Sequence, residues 1–159
     1  MVTPDHLITS WLSLSHQVPK EALRDWQETG VAILAMGSRL AAVRLSGELV
    51  RAATGMQEPR AIAAVLEARL GGAVIHDSRP DLFYPLIDAH AALTWDDSRR
   101  APCLGDGVYV GVPALRRTQP PGPYWAVLPR YEGDLCHPGA LRELVARGEH
   151  ALEDLVEIR

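Results

Sequence analysis

Apolar residues recur at helical intervals near both ends of the chain and alternate or run together in its middle, and that change of period lays out the elements. Leu7, Ile8, Trp11, Leu12 and Leu14 follow Thr3-Pro4, a cap with proline in the first turn, and predict a helix over residues 4–14. Pro19 to Glu28 predicts a second, with Ala22, Leu23 and Trp26 on one face and Gly30 as its stop. Val31 to Met36 and Arg39 to Leu45 read as two strands separated by Gly37-Ser38, which predicts a hairpin. Ser46-Gly47-Glu48 opens a short helix through about Ala53. Glu58 to Leu70 forms a clearer one, stacking Ile62, Val65, Leu66 and Leu70 before Gly71-Gly72. Ala73 to His76 and Leu82 to Ile87 predict strands around the turn Asp77-Ser78-Arg79-Pro80, and Gly107 to Val112 and Tyr124 to Leu128 two more. Pro138 to Ile158 places Leu141, Leu144, Val145, Leu152, Leu155 and Val156 at helical spacing, interrupted only by Gly148. Strands and helices in this order predict an α+β architecture, a mixed and mainly antiparallel sheet flanked by helices, rather than a regular βαβ alternation.

Composition narrows this picture without redrawing it. The 159 residues amount to one domain, 1–159, and with 47% apolar residues it fills a core without disulfides or metal staples. A formal charge of -4 excludes a generally basic, DNA-coating protein, so any nucleic-acid contact must be local. Cys103 and Cys136 lack the spacing of a zinc site or a disulfide framework, which points to a reducing, cytoplasmic setting. No apolar run approaches the roughly 18 residues of a membrane span, and Asp5 and His6 precede the first apolar cluster, so neither export nor membrane insertion is expected. Lys20 is the sole lysine; the arginine bias reflects genome composition before any preference for forked phosphate contacts.

Candidate chemistry begins at Leu40-Ala41-Ala42-Val43-Arg44-Leu45-Ser46-Gly47-Glu48. Together with Gly30-Val31-Ala32-Ile33 before it, the run resembles the glycine-led strand, turn and second strand of bifunctional DNA primase/polymerase N-terminal domains, the archaeo-eukaryotic primase type. Val74 to Arg79, continuing through Asp81-Leu82-Phe83-Tyr84, resembles the strand bearing that family's histidine before an aromatic pair. Gly107 to Pro113, followed by Arg117-Thr118-Gln119-Pro120-Pro121-Gly122-Pro123-Tyr124-Trp125, resembles its late strand, double-proline turn and aromatic strand. These segments span residues 30 to 128. The resemblance implies a primase/polymerase-like fold and a site where two carboxylates hold a divalent ion against phosphates. Here the acid positions read Arg44 and Ser46, and the histidine position reads Asp81. Arginine ligates no metal, and an anion at Asp81 would repel a phosphate by roughly a few kcal/mol at an effective dielectric of about 20.

Each substitution also has an ordinary explanation. Ser46 suits a helix N-cap, with Glu48 near the positive helix end. Arg44 suits a salt bridge with a surface carboxylate, or a phosphate held through two parallel hydrogen bonds. Asp81, after Pro80, suits the cap of a turn. Asp77, Asp81 and Asp88, or Asp96 with Asp97, would be the donors of a relocated magnesium or manganese site. Cys136-His137 invites a thiolate reading, although chain neighbours seldom align for proton transfer. His76, His90 and His150 lack zinc spacing and read as surface or strand-end residues. From Arg99 to Arg130, five arginines including Arg116 and Arg117 are accompanied only by Asp106, with Tyr109, Tyr124 and Trp125 nearby. Guanidiniums and aromatic faces are what single-stranded nucleic acid needs, whereas strand packing and solvation explain the same residues without a ligand.

The leading expectation is a non-catalytic primase/polymerase-like domain, needing no cofactor, that binds a nucleotide, single-stranded nucleic acid or a protein partner. Its groove candidates are Arg44, Ser46, Asp81, Tyr84, Arg116, Arg117, Tyr124 and Trp125. The alternatives are an active metal-dependent nucleotidyl transferase or phosphohydrolase using relocated aspartates, and a pure protein-interaction module using the terminal helices.

Overall fold

A computed structural model describes residues 3–96 and 99–158. Asp97, one half of a candidate metal pair, lies outside the described residues. Helix α1 (Pro4–Ser13) starts where Thr3 Oγ1 accepts the His6 N–H at 3.1 Å, with Pro4 in its first turn. Helix α2 (Pro19–Glu28) turns Ala22 and Trp26 inward, and Trp26 Nε1 donates to the Val112 carbonyl at 2.8 Å. Strand β1 (Val31–Ala35) follows.

The expected hairpin is corrected here. Gly37 N–H does donate to the Leu40 carbonyl at 2.9 Å, but β1 and β2 (Leu40–Val43) do not pair. Strand β1 pairs antiparallel with β7 (Tyr109–Pro113) in a two-stranded sheet, while β2 enters a larger sheet. The burial of the two strands gives the reason. All four residues of β2 are buried because its sheet is covered on both faces, with Ala41 and Val43 in one core and Leu40 and Ala42 in the other, whereas β1 alternates between buried and accessible. Turn chemistry reverses a chain without choosing its hydrogen-bond partner.

In the larger sheet the order is β6 (Cys103–Leu104), β2, β5 (Leu82–Asp88), β4 (Val74–Asp77), β8 (Pro123–Val127), every pair antiparallel. Strand β3 (Leu45–Ser46) extends the line of β2 along β5: Leu40 faces Asp88, Ala42 faces Leu86, Leu45 faces Phe83 and Ser46 faces Leu82, all in one register. The gap falls at Val43-Arg44, opposite Tyr84-Pro85, where Pro85 has no N–H to give. Arg44 N–H turns instead to the Pro102 carbonyl at 3.0 Å. Strand β6 and a 3-10 turn over Ala89–Thr94, capped by Asp88, are elements the sequence pattern does not announce.

Helices α3 (Gly47–Thr54), α4 (Pro59–Leu70) and α5 (Pro138–Ile158) cover one face of this sheet, packing on Ala41, Val43, Leu45, Val74, Phe83, Ile87 and Val127. The apparent break at Gly148 is a helix crossing. A Cβ there would lie 2.8 Å from the Leu49 carbonyl oxygen, so only glycine lets α5 approach α3 this closely. The opposite face, carrying Ala42, Ile75, Leu86 and Trp125, shares a second core with α1, α2, β1 and β7. The α+β expectation holds, with a mainly antiparallel sheet flanked by helices. Among the described residues no helix is long and apolar enough to cross a membrane.

Candidate functional site

Strand alternation divides the candidate residues between the two faces of the larger sheet. In the shared register Arg44 falls opposite Tyr84, on the face of Ala42, Leu86, Ile75 and Trp125. There Arg44, Asp77, Tyr84 and Tyr109 line a recess of about 210 Å³ between the two sheets. Arg44 is exposed and has no ion-pair partner within 4.0 Å among the described residues, so the expected surface salt bridge is absent. Burial pushes the Tyr84 phenol above its ordinary pKa and the Asp77 charge adds to that, against a smaller opposing pull from Arg44. Tyr84 therefore stays a protonated donor through neutral pH. Tyr109, on the rim, is 60% exposed. The recess thus holds an unpaired guanidinium, a phenol donor and an accessible aromatic face, together with one carboxylate.

Ser46, two residues along, is committed elsewhere. Its Oγ accepts the Leu49 N–H at 3.1 Å and caps α3, with Glu48 in that helix's first turn, as a serine before an apolar helix predicts.

Asp81 belongs to the opposite face. It sits in the left-handed region at φ 54°, which aspartate tolerates better than most residues, and its carboxylate lies over Gly47. A Cβ on Gly47 would come within 2.1 Å of that carboxylate, so the glycine makes room for it. Asp81 Oδ2 pairs with Arg51 at 3.0 Å, and Oδ1 meets His76 Nε2 at 3.0 Å. Since a carboxylate only accepts, the ring proton stands on Nε2, and in the neutral ring Nδ1 accepts the Tyr124 hydroxyl at 2.6 Å. The imidazole stacks on Phe83 with centroids 3.9 Å apart and planes 10° from parallel. Burial works to raise the Asp81 pKa, but the bonds from His76 and Arg51 outweigh it and hold the carboxyl below the usual range. The anion expected to repel a phosphate is therefore already neutralised by its own neighbours. His76, Phe83 and Tyr124 border a groove of about 490 Å³ together with Arg51, Arg60 and Gln119. Nothing in the sequence singles out Arg51, and His76 reads there as a surface or strand-end residue. The available signal was the β4–β5 hairpin, whose register sets His76 against Phe83.

The remaining candidates disperse. Arg116 donates to the Trp26 carbonyl at 2.6 Å, and Arg117 donates to the Pro123 carbonyl at 2.9 Å and to that of Pro121, so both brace loops. Arg130 forks onto buried Asp134. Trp125 is 2% exposed and donates from Nε1 to the Pro113 carbonyl at 3.0 Å, which withdraws its ring from any stacking role. Tyr124 has its hydroxyl spent on His76. The aromatic part of the recess falls instead to Tyr84 and Tyr109.

No protein-family model, curated protein or solved structure matches the chain.

The chemistry of the recess therefore stands alone. Asp77 and Asp81 lie on opposite faces and Asp88 caps the 3-10 turn, so the aspartates of the relocated-metal alternative are held apart. Among the described residues no three of His, Cys, Asp and Glu come together as metal ligands. Cys136 is buried, with its thiol pushed up to about 12 chiefly by burial and its Sγ turned to the Ala73 carbonyl, which leaves no thiolate for the Cys136-His137 reading.

Proposed function

We propose that this chain is a non-catalytic domain of primase/polymerase-like type that binds a phosphate-bearing ligand, a nucleotide or single-stranded nucleic acid, with Arg44 as the phosphate anchor. The observation behind it is the unpaired, exposed guanidinium beside Tyr84 and Tyr109, at the strand position where the resemblance calls for a metal-binding acid. An arginine there meets a phosphate directly through parallel N–H donors, doing by charge and geometry what a bound cation would do in an active relative. Ser46 is spent on the α3 cap, so neither acid position supplies a metal ligand. Asp77 opposes the ligand's charge, which keeps the intrinsic affinity modest.

Two measurements test the reading. Primer extension and nucleotidyl transfer with magnesium or manganese give no product; robust synthesis sinks the non-catalytic half. Anisotropy with a labelled single-stranded oligonucleotide shows salt-sensitive binding that Arg44→Gln weakens about tenfold. The same variant lowers the slope of log affinity against log salt by about 0.7, one phosphate contact's worth. Unchanged affinity and slope refute the anchor.

A second reading rests on Leu7 and Leu14 in α1 and its exit, and on Leu155 and Val156 in α5, all more than 40% exposed. These helices pack on opposite faces of the larger sheet, so a protein partner uses one of the two patches; its binding is indifferent to Arg44 and lost either on Leu7→Ser or on Leu155→Ser.

A further inference from the structure

Tyr109 forms a ridge between two small recesses. On one side lies the Arg44 recess; on the other is a second, of about 250 Å³, lined by Ser15, His16, Gln17, Ile33, Ala35 and Tyr109 itself. Ser15 in this second recess carries, among the described residues, the one buried side-chain polar atom without a hydrogen-bond partner. Ser15 is 4% exposed, and its Oγ is buried with no hydrogen-bond partner, although the Ser15 carbonyl is bound by the Ala35 N–H at 3.0 Å. Buried polar groups in folded proteins are almost always bonded, so an unmet hydroxyl on a residue that lines an open recess, sealed from solvent in the free protein, is held by no internal bond against turning toward an outside partner.

The neighbours specify that partner. His16 Nδ1 accepts the Val18 N–H at 2.9 Å, which leaves the proton of the neutral ring on Nε2 as a donor. Gln17 is exposed and offers both a donor and an acceptor. The remaining wall is apolar, with Ile33 56% exposed and the Tyr109 ring beside it. Neutral donors and acceptors next to an aromatic face and an aliphatic floor suit a flat, uncharged heterocycle with polar edges. They suit an anion poorly, since neither Lys nor Arg is among the described residues that line the recess.

Resting on Arg44 as the phosphate anchor, we infer that the recess of Ser15, His16 and Gln17 is a nucleobase subsite, and that the ligand is a single strand lying across Tyr109. Each recess is smaller than the roughly 300 Å³ at which pockets begin to enclose a small molecule. A free nucleotide would be gripped by one end only. An extended strand places a phosphate at Arg44 and a base beyond Tyr109 without either recess enclosing it, and stacking on an aromatic ridge is how sequence-tolerant single-strand binders hold successive bases.

The test uses the full chain and a labelled single-stranded oligonucleotide of about 12 nucleotides, within the roughly 4–16 that such sites span. Tyr109→Ala weakens binding about tenfold, and Gln17→Ala and Ser15→Ala about two- to tenfold, all with the wild-type salt slope. Ser15→Ala also leaves the melting temperature unchanged or raised, because it removes an unsatisfied hydroxyl; a structural serine would lower it. An abasic oligonucleotide binds wild type and Tyr109→Ala alike, and a free mononucleotide competes far less well than the oligonucleotide. If Arg44→Gln weakens binding while the Tyr109, Gln17 and Ser15 variants do not, the base subsite is wrong and the phosphate anchor survives. If Arg44→Gln binds like wild type, both fall. A mononucleotide that competes as well as the oligonucleotide overturns the single strand.

Discussion

The two faces of the larger sheet carry similar residue types in opposite states. On the helical face Tyr124, His76, Asp81 and Arg51 form an unbroken chain of contacts in which donors meet acceptors and the two charges cancel. On the other face Arg44, Tyr84 and Tyr109 surround a recess with the guanidinium unpaired. A satisfied polar network holds elements together: here it ties the β4–β5 hairpin to α3 and β8. An unpaired cation beside the accessible ring of Tyr109 adds no such bond to the free protein, and it is this group that the proposed function takes as the phosphate anchor. The same kinds of group serve as a latch on one face and, in the proposed function, as a docking point on the other, and what separates them is whether the fold has already used their hydrogen-bonding capacity.

Changes on the helical face should therefore alter stability and leave ligand binding alone, with the reverse for the recess. The largest effect is expected from Gly47→Ala, whose Cβ displaces the Asp81 carboxylate from both partners. The expected loss is about 2 kcal/mol, or roughly 4–8 °C in melting temperature, with oligonucleotide affinity unchanged. A parallel loss of affinity would show that the faces are coupled. Tyr124→Phe removes only the hydroxyl that meets His76 Nδ1 and is expected to lose about 1 kcal/mol by denaturant titration, again without touching binding.

The pH dependence sharpens the comparison further. Because the Asp81 carboxyl is held below its ordinary value of 3.8, its stabilising effect is complete above that range and is lost as pH falls through the depressed value. Wild type should melt above Asp81→Asn at neutral pH, and the gap should close in acid. Asp134, held low in the same direction once the Arg130 bonds outweigh its burial, is common to both proteins and cancels from the difference. A gap independent of pH would remove the ion pair from the account. The smallest effect concerns the recess: Asp77→Asn removes the one carboxylate that lines it among the described residues and should tighten oligonucleotide binding about twofold at low salt, fading as salt screens the charge.

Much of the local structure was legible. Periodicity located all five α-helices nearly to the residue, Ser46 announced its cap, and the turn before Asp81 announced a hairpin that forms. The candidate site was half legible. Arg44 stands out only because the resemblance implies a metal-binding acid at its position, and Tyr84 shares its recess. Tyr124, Trp125, Arg116 and Arg117 looked equally suitable for nucleic acid, yet each is bonded within the fold, and nothing in their spacing says so. Arg51 is not legible because its partner Asp81 lies 30 positions further on and is itself a left-handed residue that is not glycine.

What the sequence determined by itself is what depends on neighbours a few positions away: helix periods, caps, turn residues and the alternation of sides along a strand. Only the tertiary structure decided which strand edges met, so that β1 took β7 and left β2 to the larger sheet. It also decided which polar groups found partners. Those outcomes depend on residues far apart in the chain competing for the same hydrogen-bonding edges and the same buried volume, and such competition is resolved only when the whole chain packs.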